Sequence, residues 1–218
     1  MKIGVLALQG NFENHYNKII DFGKTPIYVK TKADLLKCDA LIIPGGESTV
    51  MSKMLDYNNL RQTLIDLKDK INIMGICAGM ILLSSTTGYV NLKTLSIMNF
   101  NVKRNGFGRQ IHSFKSNISF LPSNNSFKVS FIRAPKIKDF STNIKCIANY
   151  DKEPVMLTDG KHIACCFHPE FSSNNDIYEY FTDSRIFDED QIIINGINPI
   201  NAKNPKNGGN EKPIKAPE

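Results

Sequence analysis

Apolar and polar positions in the first half of the chain predict strands that alternate with helices. Short apolar runs typical of buried strands occupy residues 3–8, 26–30, 40–43 and 71–75. Apolar residues spaced as on one helix face occupy residues 11–22, 48–57 and 58–70. Such alternation predicts an α/β fold, a three-layer sandwich in which helices cover both faces of a central, mostly parallel sheet.

The second half of the chain has a different pattern. Short strand candidates, separated by turn residues, occupy residues 95–103, 116–121, 127–133, 144–150, 154–157 and 161–167. They predict antiparallel additions to the same sheet, followed by a short helix at 176–182. From residue 185 the composition shifts to Asn, Pro, Gly and Lys, so we expect one domain over 1–184 and a disordered tail over 185–218.

One cysteine lies where an apolar run meets two close glycines, in Gly75-Ile76-Cys77-Ala78-Gly79. A strand, a tight turn and an immediate helix form an elbow that exposes a nucleophile, here with sulfur in place of the serine oxygen. The glycines remove Cβ atoms that would clash in the turn, and the helix N-terminus favours a thiolate. The alternative is a buried structural cysteine, because free cysteines are often buried.

A base for this thiol is suggested by Phe167-His168-Pro169-Glu170. A thiolate nucleophile needs a histidine that holds its proton, and the histidine needs an acceptor on its other ring nitrogen. If 161–167 is a strand, His168 and Glu170 project to the same side. A lone histidine is more often structural, but the cysteine elbow elsewhere in the chain favours a Cys77, His168 and Glu170 triad.

A third candidate is the turn that follows the strand at 40–43, in Pro44-Gly45-Gly46-Glu47-Ser48. Acyl transfer requires hydrogen-bond donors for a developing oxyanion, and the backbone amides of Gly46 and Ala78 are candidates. The turn is equally explained as a glycine turn in which Ser48 caps a helix. These two interpretations are compatible.

Composition narrows the class of protein. The 218 residues are 41% hydrophobic, and the five cysteines show no metal-site or disulfide spacing, which is typical of reduced thiols in the cytoplasm. No apolar run reaches the ~20 residues of a membrane span. The net charge of +6 is dispersed and accompanies no nucleic-acid motif, so we expect neither a membrane nor a nucleic-acid partner.

These motifs together resemble the class I glutamine amidotransferases, whose Cys-His-Glu triad follows the same chain order. Within that class, the chain is similar to the glutaminase subunits of pyridoxal 5'-phosphate synthase. The first strand adds a matching segment, Leu6-Ala7-Leu8-Gln9-Gly10. The specific segments are Arg104-Asn105-Gly106-Phe107-Gly108-Arg109-Gln110 and Phe131-Ile132-Arg133-Ala134-Pro135. The resemblance covers about residues 1–181.

The resemblance implies hydrolysis of L-glutamine to glutamate and ammonia through a thioester on Cys77. It also implies a set of residues that contact glutamine, namely Gly46, Glu47, Ser48, Arg104, Ile132 and Arg133. A carboxylate suits arginine and an ammonium suits Glu47, although Arg104 and Arg133 are also explained as structural ion-pair residues. Gln9 is a candidate sensor of partner docking, or a structural loop residue.

The resemblance further implies a hetero-oligomer in which a synthase subunit consumes the ammonia to make pyridoxal phosphate. It implies no cofactor and no metal on this chain. Two alternatives remain open from the residues alone. The chain could serve another synthase or hydrolyse a different substrate, or it could be a catalytically silent binding subunit.

Overall fold

The computed structural model describes residues 1–104, 106 and 113–183. The predicted tail at 185–218 and most of the 105–110 motif therefore lie outside the described residues. The strands are β1 Lys2–Leu6, β2 Thr25–Val29, β3 Ala40–Ile43, β4 Asn72–Ile76, β5 Phe100–Lys103, β6 Ser113–Phe120, β7 Asn125–Ile132, β8 Lys136–Phe140, β9 Lys145–Tyr150, β10 Glu153–Thr158 and β11 Ile163–Cys165. The helices are α1 Phe12–Asp21, α2 Lys32–Leu35, α3 Ser48–Tyr57, α4 Arg61–Leu67, α5 Ala78–Leu83 and α6 Asp176–Thr182, and 3-10 turns cover Leu121–Ser123 and Pro169–Phe171.

The main sheet has nine strands in the order β2-β1-β3-β4-β11-β10-β9-β6-β7. Strands β2, β1, β3, β4 and β11 are parallel to one another. Strands β10, β9, β6 and β7 extend the sheet by antiparallel pairing. The predicted parallel sheet with antiparallel additions in the second half is confirmed.

Helices cover both faces because the chain winds in two directions from β1. The connection through α1 leads from β1 outward to β2, whereas α3 and α4 connect β3 to β4 on the other side. Right-handed crossovers that run in opposite directions place their helices on opposite faces of the sheet. Strand β3 is consequently buried along its whole length, which explains its uninterrupted apolar sequence.

This winding sets the position of the functional residues. The parallel strands β1, β3, β4 and β11 all end at the same edge of the sheet, so the segments that follow them converge there. Those segments carry Gln9, Gly45, Cys77 and His168.

Several element boundaries differ from the sequence prediction. Within the strand predicted at 95–103, only Phe100–Lys103 is a strand, and Ser96 has a φ of 50° that interrupts an extended backbone. The last parallel strand ends at Cys165 rather than at residue 167. Strand β8 was not predicted; it pairs with β5 in a separate two-stranded sheet. In the described part of the chain, none of the helices has the length and apolar character needed to cross a bilayer.

Candidate active site

Cys77 lies at the turn between β4 and α5, with a φ of 50° and a ψ of −98°. A positive φ is unusual for a non-glycine residue and marks a strained backbone. The flanking glycines allow the close packing of this turn: a Cβ atom on Gly79 would lie 2.1 Å from the carbonyl oxygen of Ile43, and one on Gly75 would lie 2.7 Å from the backbone of Gly79. The Cys77 amide donates a 2.7 Å hydrogen bond to the carbonyl of Cys165, which fixes the turn to β11. The strand, turn and helix predicted around Cys77 are present.

His168 and Glu170 contact each other directly. The Nδ1 atom of His168 lies 2.7 Å from Oε1 of Glu170, and the His168 amide donates to the carbonyl of Ser130 on β7. The predicted geometry of this contact was wrong, because β11 ends at Cys165 and Glu170 lies in the 3-10 turn Pro169–Phe171. The tight turn, and not strand alternation, brings the carboxylate back to the imidazole.

The environment of His168 favours the charged imidazolium. Burial disfavours a charge, but the nearby sulfur of Cys77 and the carboxylate of Glu170 outweigh burial and raise the pKa of His168 to about 10. The other ring nitrogen, Nε2, is buried and has no hydrogen-bond partner among the described residues. The thiol of Cys77 instead donates a 3.7 Å hydrogen bond to the carbonyl of Ile132. The two groups meet in one cavity, and catalytic hydrogen bonds often tighten only when substrate binds.

Sequence reasoning missed three residues that lie beside the carboxylate of Glu170 or beside its neighbour His15. Asn11 Nδ2 donates to Oε1 at 2.9 Å, and Nε2 of His15 lies 3.5 Å from Oε2. On its other side, Nδ1 of His15 lies 2.8 Å from the hydroxyl of Tyr178. Burial would raise the pKa of Glu170, but the imidazoles of His15 and His168 outweigh it and keep that pKa below its ordinary value. No motif marks these residues in the sequence, because the contacts join the start of α1 to the 3-10 turn and to α6, which lie far away along the chain.

The glycine turn after β3 packs against both His168 and the loop after β1. A Cβ atom on Gly45 would lie 2.4 Å from Cε1 of His168, so only glycine allows the ring to approach this closely. Gln9 lies against the same turn, since its Oε1 atom accepts a 2.9 Å hydrogen bond from the amide of Glu47. The Asn11 amide donates to the carbonyl of Gly45 at 3.0 Å. The turn is therefore held by the loop that contains the predicted sensor, Gln9.

A cavity of about 360 Å³ joins these segments, a volume suited to a small ligand. The predicted residues among its lining are Gly46, Glu47, Ser48, Cys77, Ala78, Arg104, Ile132, Arg133 and His168. Asn11, Gly45, Ile81 and Phe171 complete the lining. Glu170 lies behind His168, and Gln9 lies behind the glycine turn. The structure thus brings the residues predicted from separate motifs to one place.

Charged groups of both signs lie at the outer end of the cavity. Glu47 Oε1 and Arg104 Nη2 are 2.9 Å apart, and the Arg104 guanidinium lies 5.2 Å from the centre of the Tyr89 ring. Glu47, not Ser48, is the N-cap of α3, because its carboxylate accepts from the amides of Thr49 and Val50. Burial acts against the charge of Glu47, but these hydrogen bonds and Arg104 keep its pKa below the ordinary value.

Ser48 and Arg133 complete this end of the cavity. The Ser48 hydroxyl is buried and has no hydrogen-bond partner in the described ranges. The backbone of Arg133 has a φ of 45°, which is another strained position at the cavity. A buried hydroxyl and a strained backbone are both more common at ligand sites than in a packed core.

Comparisons with known proteins agree with this geometry. The model of the SNO glutamine amidotransferase family matches residues 5–186. The pyridoxal 5'-phosphate synthase subunit PdxT of Oceanobacillus iheyensis is 38% identical over 182 residues, which cover 83% of this chain and 91% of that relative. The subunit of the same name from Francisella philomiragia is 38% identical over 181 residues, with coverage of 83% and 97%.

The comparison with solved structures also finds glutamine amidotransferases. A crystal structure described as a glutamine amidotransferase has a TM-score of 0.79 at 32% identity, and the match covers 85% of this chain and 98% of that one. A glutamine amidotransferase from Thermotoga maritima, at 14% identity and a TM-score of 0.54, shares the fold, with coverage of 90% and 94%. These relatives, together with the nucleophile elbow and the cavity, show that the chain belongs to the SNO glutamine amidotransferase family and is a glutamine amidotransferase, an amide-hydrolysing enzyme with a cysteine nucleophile.

Proposed function

We propose that this chain is the glutaminase subunit of a pyridoxal 5'-phosphate synthase, hydrolysing L-glutamine and passing ammonia to a synthase subunit. One observation carries the chemical part of the proposal. The thiol of Cys77 and the imidazole of His168 line one cavity, and Glu170 contacts the ring nitrogen of His168 that faces away from it. The names of the PdxT relatives support the assignment to this particular synthase.

The chemistry begins with the Cys77 thiolate and the His168 imidazolium. The thiolate attacks the side-chain amide carbon of glutamine, and the carbonyl electrons move onto oxygen. His168 gives its proton to the amide nitrogen, the carbon–nitrogen bond breaks, and ammonia leaves a thioester on Cys77. Water then gives a proton to His168 and attacks the thioester, which releases glutamate and restores the thiolate. Glu170 holds the tautomer of His168 throughout.

The oxyanion of both tetrahedral intermediates requires donors at the glycine turn and the elbow. Ala78 is the first residue of α5, so its amide has no partner within the helix. The Gly46 amide belongs to the turn that lines the cavity from the other side. Loss of one such donor typically costs about 2.7–4 kcal/mol of activation free energy.

The outer end of the cavity suits a free amino acid. Glu47 supplies a negative charge for the substrate ammonium, and Arg104 and Arg133 supply positive charge for the carboxylate. Ser48 and Ile132 line the same cavity as these charges and Cys77. A site with charges of both signs favours glutamine over amides that lack an α-ammonium and an α-carboxylate.

The partner step completes the proposal. Ammonia that enters water at neutral pH takes up a proton and is then no longer a nucleophile, so it has to pass directly to the synthase subunit. Gln9 binds the amide of Glu47 next to Gly46, so a docked partner that moves the loop after β1 would also move the proposed oxyanion donor. On this basis Gln9 is the sensor of docking. A cytoplasmic location stays a prediction of the sequence.

The test is glutamate release from L-glutamine by the full chain, measured alone and with a synthase subunit of the PdxT relatives' enzyme. We expect release to rise on addition of the synthase and to vanish in Cys77→Ala. Cys146→Ala is the matched control, because Cys146 is a half-buried thiol on β9 outside the cavity, and it should keep wild-type turnover. Turnover that persists in Cys77→Ala would overturn the mechanism, and full turnover without any synthase would overturn the dependence on a partner.

A further inference from the structure

A second buried histidine contacts the carboxylate of the proposed triad, and the mechanism above does not use it. His15 lies on α1 and has no exposed surface. Its Nε2 atom lies 3.5 Å from Glu170 Oε2, whereas His168 and Asn11 bind the other carboxylate oxygen, Oε1. Both His15 Nε2 and Glu170 Oε2 are buried, and neither has a hydrogen-bond partner in the part of the molecule that the structure describes. The 3.5 Å between them therefore leaves a potential donor and a potential acceptor beside each other.

The neighbours of His15 determine its tautomer. An ionised carboxylate only accepts hydrogen bonds, so the ring nitrogen that faces Glu170 has to carry the proton. The opposite nitrogen, Nδ1, is then an acceptor, and Tyr178 is its donor at 2.8 Å. Burial raises the pKa of Tyr178 well above its ordinary value, which keeps the phenol protonated and able to donate. Burial also lowers the pKa of His15, which keeps it neutral.

We propose that His15 is a positioning residue of the reaction: its Nε2–H holds Oε2 of Glu170, and Tyr178 holds His15 in the tautomer that this requires. This inference rests on the proposed glutaminase mechanism, in which Glu170 orients His168. When the Nε2–H of His15 closes on Oε2, each oxygen has a donor, which opposes rotation of the carboxylate plane about its terminal bond. Oε1 then stays on His168 Nδ1, and His168 presents Nε2 to the cavity that contains Cys77.

The arrangement also explains why three polar side chains, those of Tyr178, His15 and Glu170, are buried between α1, the 3-10 turn and α6. A neutral imidazole is costly to bury unless both ring nitrogens have partners, and a well-packed apolar residue would avoid that cost. One ring nitrogen of His15 pairs with the phenol of Tyr178, and the other lies 3.5 Å from a proposed catalytic carboxylate, which suits orientation of Glu170. Residues that orient metal-binding histidines contribute about 10–100-fold to activity, and we expect a factor of the same order for a residue that orients Glu170.

Two substitutions of similar polarity separate positioning from packing. In His15→Gln the side-chain amide reaches the former place of Nε2 and can donate to Glu170. In His15→Asn the shorter amide reaches only the place of Nδ1, so it can pair with Tyr178 but not with Glu170. Ile19→Val is the control, because Ile19 is a fully buried residue of the same helix that makes no polar side-chain contact.

The first measurement is glutamine hydrolysis by each full-length variant with the synthase subunit present. We expect kcat of His15→Asn to fall by about tenfold with KM within about twofold of wild type, and His15→Gln to keep kcat within about threefold. Ile19→Val should match wild type. Equal kcat values for the Gln and Asn variants, whether both high or both low, would overturn the inference.

The second measurement needs no partner and no turnover. It is the rate at which iodoacetamide alkylates Cys77 at pH 7, read by peptide mass spectrometry with Cys146 as the internal reference. A displaced Glu170 makes His168 a weaker base and lowers the thiolate fraction, so alkylation should slow in His15→Asn and be retained in His15→Gln. If wild type releases no glutamate, the proposed function fails, whereas equal alkylation rates in the two variants would defeat the role of His15 by itself.

Discussion

The close approach of Gly45 to His168 leads to a sharp prediction for Gly45→Ala. The new Cβ atom would lie 2.4 Å from Cε1 of the ring and 3.2 and 3.3 Å from its two nitrogens. Ordinary contact begins at 3.4 Å, so the ring has to retreat by about 1 Å. His168 is only 5% exposed and is held by Glu170 and by the carbonyl of Ser130, so it cannot move away without losing its orientation.

A displacement of about 1 Å at a catalytic group typically costs about 100-fold in rate, which corresponds to about 2.7 kcal/mol of activation free energy. We therefore expect kcat for glutamate release by Gly45→Ala, with the synthase present, to fall by about that factor while the variant stays folded by circular dichroism. KM should change much less, because the side chains proposed to bind the glutamine charges, Glu47 and Arg104, do not contact the His168 ring.

Gly4→Ala is the matched control. A Cβ atom on Gly4 would lie 2.7 Å from the sulfur of Cys38 and 2.8 Å from Cγ2 of Val29, which are core contacts on β1 and not cavity contacts. This variant should lose about 1–3 kcal/mol of unfolding free energy through overpacking and keep the kcat of its folded fraction. A folded Gly45→Ala with kcat within about threefold of wild type would refute the reasoning, because the ring would then have room to move.

Two further predictions concern charge in the same cavity. In Glu47→Gln the amide oxygen can still cap α3, but the negative charge is lost, so we expect KM for glutamine to rise at least about tenfold with little change in kcat; an unchanged KM would remove Glu47 from the ammonium site. His168 has a folded pKa of about 10 against an ordinary 6.5, so its contribution to stability is full below pH 6.5 and is lost as the pH rises towards 10. The difference in unfolding free energy between wild type and His168→Gln, from urea titrations at pH 6 and pH 10, should shrink at the higher pH, and a constant difference would contradict the raised pKa.

The parts of the site that were predictable from sequence are those that a short motif encodes on its own. The pair of glycines around Cys77 and the pair at Gly45 and Gly46 follow from close backbone contacts, so residue type alone indicates the turn. Parallel strands end at the same edge of a sheet, so the fold prediction also placed these turns together. The comparisons confirm the family and the fold that these motifs indicated.

The parts that were not predictable depend on contacts between distant segments. His15 reads as an ordinary polar position of an amphipathic helix, and only the packing of α1 against α6 brings it to Glu170 and Tyr178. Helix α2 is a single turn that depends on a capping box between Thr31 and Asp34, not on an apolar stripe. In strand β8 only Ile137 is buried, so the hydrophobic pattern was too weak to indicate a strand.

The position of Glu170 also bears on when reactivity first appears during synthesis. Cys77 leaves the ribosome well before His168, its proposed base, and the carboxylate that contacts His168 lies against Asn11 and His15 from the beginning of the chain. In a nascent chain the segments that form this site therefore stay apart until the last parallel strand inserts beside β4. The proposed triad is complete only after both the first helix and the segment that follows β11 are in place.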